Sequence, residues 1–149
     1  MNKAMTLLKK LSATDAGWGA LALRVPVGII FAAHGAQKLF GWFGGYGLAA
    51  TGGWMESIGL APGVLMAFLA GSAEFFGGLA LIAGVLTRPA AAVLALTMLV
   101  AIFAVHFENG LFMSNNGYEF GLALLAASVS LAFSGAGKAS VDAALSRSN

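Results

Sequence analysis

Long apolar stretches, interrupted by short polar or glycine-rich segments, make up most of the 149-residue chain. The runs are continuous, which favours helices over half-buried strands, whose apolar and polar residues would alternate. Four runs approach or exceed the roughly 20 residues that a helix needs to cross a bilayer. They lie at about residues 18–40, 62–86, 89–107 and 118–133. The pattern therefore predicts four membrane-spanning helices, in which every backbone group is bonded within its own segment.

The connection between the first two runs, about residues 41–61, is too apolar for a solvated loop. Its aromatic residues are scattered among glycines: Trp42, Phe43, Tyr46 and Trp54. Aromatic rings of this kind prefer the headgroup level of a membrane, so we expect an interfacial or partly re-entrant segment. Whether this segment also covers a site is left open.

The remaining connections are shorter. Thr87, Arg88 and Pro89 form a tight turn, with Pro89 suited to the first position of the third helix, so the second and third runs should form an antiparallel hairpin. A polar tail follows Ser134. The resulting fold class is all-α, a polytopic membrane four-helix bundle in a single domain of residues 1–149.

Composition agrees with this class and excludes others. Hydrophobic residues make up 59% of the chain and charged residues 9%, with a mean hydropathy of +0.86, which is outside the range of soluble domains. A basic stripe interleaved with aromatics is missing, which argues against nucleic-acid binding. Because the chain has no cysteine, it cannot form a thiolate nucleophile, an iron–sulfur cluster or a covalent haem attachment through its own thiols.

Charge sets the predicted orientation. Six lysines and arginines fall on one predicted side: Lys3, Lys9, Lys10, Arg88, Lys138 and Arg147. Because lysine and arginine are enriched in cytoplasmic loops, both termini should be cytoplasmic. The first apolar run is too long for a signal peptide and lacks a clear cleavage site, so we expect it to be retained as a span.

Ionisable residues recur at specific depths inside the predicted spans, and two of them, Arg24 and Glu74, lie in the inner or central part. Arg24 lies about six residues into the first run, where its side chain could extend to the cytoplasmic headgroups. Glu74 lies about twelve residues from either end of the second run, so it should be paired, protonated or functional. A structural Arg24–Glu74 pair is the simplest alternative to a functional Glu74.

A second group of polar residues clusters in depth near the outer side. His34 and Lys38 share one helix face, since they are four residues apart, and His106, Tyr118 and Glu119 lie at a similar level. Structural alternatives exist for each: a hydrogen-bonded helix–helix contact for His34, interfacial positions for His106 and Tyr118, an outward-extended Lys38, and a helix N-terminal charge for Glu119. The two histidines are too weak a signal to predict a metal or haem site.

The order and spacing of these residues resemble the DoxX family of small four-span bacterial membrane proteins. The matching segments are Leu23-Arg24, His34-Gly35, Lys38-Leu39, residues 74–79, residues 84–89 and His106, within about residues 18–134. The resemblance implies the bacterial inner membrane, redox chemistry at that membrane and a quinone as ligand. It also implies a soluble redox enzyme as a partner. The predicted helices are rich in small residues, which favours a homo-oligomer.

The leading functional hypothesis is a quinone-associated membrane subunit of an oxidoreductase or quinone-stress system. Glu74 and His106 are the catalytic candidates, as groups that would pass protons. The ligand-binding candidates are Arg24, His34, Lys38, Tyr118 and Glu119. Two alternatives stay open: a membrane anchor or scaffold for a soluble redox enzyme, and a small-molecule transporter.

Overall fold

The computed structural model describes residues 2–147, which form helices and connecting turns without any strand in that range. Within these residues seven α-helices follow one another: α1 (Lys3–Ser12), α2 (Trp18–Phe40), α3 (Gly47–Ser57), α4 (Gly63–Ala83), α5 (Thr87–Ala101), α6 (Glu119–Ser134) and α7 (Val141–Arg147). Beyond α5 the helix continues as a π-helical turn, Ile102–His106, and a 3₁₀ turn, Phe107–Asn109. The all-α prediction is confirmed.

Among the described helices, three are long and apolar enough to cross a membrane: Trp18–Phe40, Gly63–Ala83 and the continuous helix Thr87–Asn109. The fourth predicted span forms α6, an apolar helix of 16 residues. At 1.5 Å per residue α6 is about 24 Å long, shorter than the hydrocarbon core of a typical bilayer. A four-span single domain therefore stays a prediction, although α6 lies alongside α5 in the same bundle.

The hairpin between α4 and α5 turns slightly earlier than predicted. Gly84 and Leu86 adopt left-handed backbone conformations, and Thr87 is already the first residue of α5. Pro89 is thus the third helical residue rather than the first. It costs no hydrogen bond there, because the first four N–H groups of a helix have no partner within the helix.

Glycines allow α2 and α4 to approach closely. A Cβ added to Gly28 would lie 2.7 Å from the Gly78 carbonyl oxygen, and one added to Gly35 would lie 2.7 Å from the Gly71 carbonyl oxygen. Both distances are too short for a real side chain. Such close packing suits membrane helices, which gain little from hydrophobic burial against each other in lipid.

The core is small and apolar, and it is built where α2, α4, α5 and α6 meet. Its fully enclosed members include Phe31, Leu81, Leu94 and Leu131. Many other large apolar side chains, such as Phe76 and Leu96, are exposed on the outside of the bundle. An apolar exterior of this kind is stable against lipid tails rather than water.

The predicted interfacial segment contains its own helix, α3, which packs against α4. A Cβ on Gly52 would lie 2.7 Å from the Val64 Cα, so the two backbones are in close contact. With 11 residues, α3 is about 16 Å long and too short to span. Trp42, Phe43 and Tyr46 stay exposed, as expected of an interfacial segment, whose depth in the membrane stays a prediction.

Both chain ends fold onto one end of the bundle, here called the terminal end, where α2 and α5 begin and α4 and α6 end. The tail after Ser134 is not merely polar chain, because it forms α7. Asp142 of α7 is buried, and its carboxylate accepts hydrogen bonds from the backbone N–H groups of Leu86 (2.8 Å) and Thr87 (2.9 Å). A residue distant in sequence thus caps the start of α5.

Candidate functional site

A cavity of about 660 Å³ lies along α4 and α5, from the middle of the bundle towards the end opposite the termini. Its walls are mainly apolar, including Met55 and Leu60 from the α3 region and Leu69, Leu96 and Val100 from α4 and α5. Its polar lining residues are Lys38, Glu74, Thr97, His106 and Asn116. This volume and this composition are typical of sites for small organic ligands.

The cavity is open towards the outside of the bundle. Leu69, Val93, Leu96 and Val100 line it and are also about half exposed or more on the outer surface. Because these residues belong to membrane-length helices, the opening lies on the surface that faces lipid. A lipophilic molecule could enter from the bilayer without crossing water.

An ion pair between α2 and α4 lies in the cavity wall. The Lys38 ammonium donates a hydrogen bond to Glu74 Oε2 at 2.7 Å. The Glu74 side chain is only 5% exposed and that of Lys38 is 23% exposed. A charged group this far from water requires a partner of opposite charge, so each residue accounts for the position of the other.

The sequence around Glu74 makes this contact possible. Gly71 lies one helical turn before Glu74, and a Cβ at this position would be only 3.2 Å from the Lys38 Cβ. The glycine leaves space for the lysine stem to cross the surface of α4. Within the described chain, Lys38 and Glu74 form the one ion pair that the structure records.

His106 reaches the cavity from the π-helical turn that extends α5. Such turns add one residue to a helical turn, so they change the direction of the following side chains. Its Nδ1 lies 2.8 Å from the backbone carbonyl oxygen of Asn116. A carbonyl oxygen can only accept, so we assign the proton to Nδ1. Nε2 of the neutral ring is then the nitrogen that can accept a hydrogen bond from a ligand.

Three other predicted site residues, His34, Tyr118 and Glu119, lie at the same end of the bundle but do not line the cavity. His34 is exposed, its Nδ1 bonds the Ile30 carbonyl of its own helix at 2.8 Å, and its ring is 6.0 Å from that of Phe120. The hydrogen bond of His34 stays within α2, and only its ring contact with Phe120 reaches another helix.

Tyr118 and Glu119 also have structural surroundings. The Tyr118 ring stacks on Phe107 with the centroids 5.8 Å apart. Glu119 is the first residue of α6, and its backbone N–H donates to the Leu111 carbonyl at 2.9 Å. The structure therefore brings Lys38, Glu74 and His106 to one cavity and leaves His34, Tyr118 and Glu119 beside it.

Arg24 lies at the terminal end, far along α2 from the cavity. It is fully buried, which is incompatible with a side chain that extends to the headgroups, and it makes no pair with Glu74. Both sequence-based interpretations of its contacts are therefore wrong. Its guanidinium instead donates five hydrogen bonds of 2.6–3.2 Å to the carbonyl oxygens of Leu81, Ile82, Ala136, Lys138 and Ala139.

Several cavity residues were not predicted from the sequence. Trp54 and Met55 are contributed by α3, which the sequence indicated only as an aromatic-rich segment, and Thr97 lies in a continuous apolar run. Asn116 precedes α6, and its backbone oxygen also accepts from the Asn109 side-chain amide at 3.2 Å. The asparagines between the third and fourth runs were the available signal for this part of the site.

Comparison with known families gives a match to DoxX over residues 19–107. The chain belongs to the DoxX family. The matched region includes Arg24, Lys38, Glu74 and His106 and ends before Asn116. DoxX is a membrane family, and together with the apolar helices the match makes this chain a multi-pass membrane protein.

Two relatives of this DoxX protein align over most of both chains. A Bacillus subtilis (strain 168) protein named "Putative oxidoreductase CatD" is 37% identical over 117 residues, which cover 78% of this chain and 79% of that protein. An uncharacterized Haemophilus influenzae protein is 34% identical over 123 residues, which cover 80% of this chain and 85% of that protein. No solved structure matches the chain significantly.

Proposed function

We propose that this DoxX protein is a quinone-binding membrane subunit of an oxidoreductase system, with the quinone head in the cavity beside Lys38 and Glu74. The observation that carries the proposal is a largely buried ion pair in the wall of an otherwise apolar cavity that opens to lipid. A quinone matches both the apolar cavity and the ion pair, because its tail is lipid-soluble and its two carbonyls need hydrogen-bond donors. The name of the Bacillus subtilis relative points to the same class of chemistry.

Lys38 is suited to hold a quinone carbonyl. An ammonium group has three N–H donors, and the structure records one hydrogen bond for Lys38 within the described chain, to Glu74. The other donors can serve a ligand oxygen. Glu74 keeps the lysine in position and would accept or return a proton when the ligand changes its redox state.

His106 supplies the complementary group. With the proton on Nδ1, Nε2 accepts a hydrogen bond from a hydroxyl but offers none to a carbonyl. The hydroxyl of a reduced quinone fits this acceptor, whereas Lys38 fits the oxidised carbonyl. Lys38 and His106 would thus serve the oxidised and the reduced form of the same ligand.

Location and partners complete the proposal. We place the protein in the bacterial inner membrane with both termini cytoplasmic, because the terminal end holds Lys3, Lys10, Arg88, Lys138 and Arg147. The chain has no cysteine and thus no thiol of its own to supply electrons, and a soluble redox enzyme at either membrane face is the expected electron source. Self-association through small residues on the outer faces is also expected.

Trp54 lines the cavity and provides a built-in reporter of binding. We would titrate the protein in lipid nanodiscs with a short-tailed benzoquinone and its reduced form, and follow quenching of tryptophan fluorescence. The wild type should show saturable quenching, and most of this signal should disappear in a Trp54→Phe variant. Glu74→Gln should weaken binding by about tenfold or more, since hydrogen bonds to charged groups contribute about 1.5–3 kcal/mol.

The histidines give a matched comparison. His106→Ala should weaken binding of the reduced form about fivefold, the effect of one neutral hydrogen bond, with a smaller effect on the quinone. His34→Ala should change the binding of neither form, because His34 lies outside the cavity. Saturable binding that is insensitive to Glu74→Gln and His106→Ala would place the site elsewhere. Absence of saturable binding would refute the quinone proposal and favour the anchor alternative.

A further inference from the structure

The N-terminal helix α1 has two chemically distinct sides. At 100° per residue, Ala4, Leu7, Leu8 and Leu11 fall on one side, and Lys3, Thr6 and Lys10 fall on the other. In a water-soluble protein the apolar side of such a helix would pack against the core. The position of this side in the structure therefore indicates what surrounds the helix.

The apolar side of α1 is turned away from the protein. Leu7 is 58% exposed and Leu8 is 43% exposed. Leu11, on the same side, is half-buried. The side of α1 that faces the protein lies roughly opposite the leucines, where Ser12 is buried and Thr6 and Lys9 are half-buried. An amphipathic helix that shows its leucines to the outside is stable only if those leucines meet another apolar phase.

Aromatic side chains at the same end of the bundle indicate the membrane boundary. Trp18, the first residue of α2, and Phe133, near the end of α6, are both exposed. The ammonium of Lys138 lies 5.4 Å from the centroid of the Trp18 ring. Exposed tryptophan beside lysine is typical of the headgroup region, where the ring contacts acyl chains and the charge stays in water.

The charge of this end defines the kind of lipid surface that it fits. Its cationic side chains outside the core are Lys3, Lys9, Lys10, Arg88, Lys138 and Arg147, whereas its acidic ones are Asp15 and Asp142. The Asp142 carboxylate is already engaged with backbone N–H groups. A net positive end with an apolar helix face fits an anionic lipid surface, to which each nearby lysine or arginine adds attraction.

We propose that α1 is an interfacial membrane helix, with Leu7 and Leu8 inserted among the acyl chains and Lys3 and Lys10 bound to anionic phospholipid headgroups. Helices of this type lie about 5–10 Å into the headgroup and acyl boundary. The proposal concerns the terminal end alone and is independent of the cavity and its ligand.

Because the chain has no cysteine, a single introduced cysteine can be labelled selectively in the full chain, which gives a direct test. An environment-sensitive fluorophore would be attached to Leu8→Cys and, in a second protein, to Lys10→Cys, on the opposite side of the same helix. Both proteins would be reconstituted in vesicles of phosphatidylcholine with phosphatidylglycerol. Quenching would be measured with acyl-chain spin-labelled phosphatidylglycerol and, separately, with spin-labelled phosphatidylcholine at the same mole fraction.

The Leu8 label should emit at shorter wavelength than the Lys10 label and be quenched more strongly by both spin-labelled lipids. Its quenching by the anionic lipid should exceed that by phosphatidylcholine, and this ratio should fall towards one in a Lys3→Gln/Lys10→Gln background. Equal water exposure of both labels would overturn the proposal, as would a Leu8 label that is shielded by another copy of the chain but not quenched by lipid. A ratio near one in the parent protein would overturn the anionic-lipid assignment.

Discussion

Replacing Arg24 by methionine tests how the terminal end is held together. The guanidinium has five N–H donors, and all five carbonyl acceptors are provided by two parts of the chain. Leu81 and Ile82 belong to the last turn of α4, where the negative end of the helix dipole attracts a cation. Ala136, Lys138 and Ala139 belong to the segment that leads into α7. Arg24 therefore joins the C-terminal segment to the bundle.

The expected loss of stability follows from the backbone carbonyls that lose their hydrogen-bond donor. Hydrogen bonds to a charged donor contribute about 1.5–3 kcal/mol each, so simple addition over five bonds would give roughly 8–15 kcal/mol. Addition overestimates the loss, because three of the acceptors lie in a connecting segment that can turn towards water. We therefore expect Arg24→Met to lower the free energy of unfolding by about 3–5 kcal/mol, since the two α4 carbonyls that lose their donor cost about 1–3 kcal/mol each.

The measurement is reversible unfolding in detergent micelles by increasing mole fractions of dodecyl sulfate, followed by tryptophan fluorescence. Arg24→Lys should lose about 2 kcal/mol, since lysine keeps the charge but has three donors and no planar fork. Arg88→Met is a matched control that removes a half-buried arginine bonded to three carbonyls, and it should cost about 1 kcal/mol. Unchanged stability of Arg24→Met, without faster proteolysis between residues 135 and 140, would refute the reasoning.

Two further predictions concern the contact between α2 and α4. Gly28→Ala should destabilise the protein by about 1–3 kcal/mol, because its Cβ would lie 2.7 Å from the Gly78 carbonyl oxygen. The control Gly19→Ala should not destabilise it, since a Cβ there has no neighbour within 4 Å. Equal losses of stability in dodecyl sulfate unfolding would contradict the close packing. Lys38→Met should cost about 2–3 kcal/mol by leaving Glu74 unpaired, and adding Glu74→Leu should restore most of the loss. Additive losses in that double-mutant cycle would show that the pair does not interact.

The membrane helices were predictable because their cause is local. Each apolar run must form its own backbone hydrogen bonds in lipid, so the run length alone fixed the bounds of α2 without error and those of α4 within a few residues. The terminal helices were not predicted. α7 is only seven residues long, and its Asp142 gains its role from the start of α5, more than 50 residues away in sequence.

The partner of Glu74 was not predictable because depth was counted within each helix separately. That count places Arg24 and Glu74 in the same half of the membrane only if both helices begin and end at equal levels. In the structure α4 extends beyond the end of α2, so Gly84 lies beside Arg24 and Gly71 lies beside Lys38. Glu74, one turn from Gly71, is therefore within reach of the lysine. Register between helices depends on the glycine contacts, which a single sequence does not reveal.

Counting donors separates the roles of the two intramembrane cations. Arg24 has five N–H donors, and five carbonyls in the described chain accept them, so no donor is left for a ligand and its role is structural. Lys38 has three donors and one recorded acceptor, Glu74, and it lies in the wall of a cavity. A partly satisfied ammonium beside apolar space is unfavourable unless a polar ligand or water completes its contacts. The spare donors of Lys38, more than the presence of charge, therefore make it the better candidate for ligand binding.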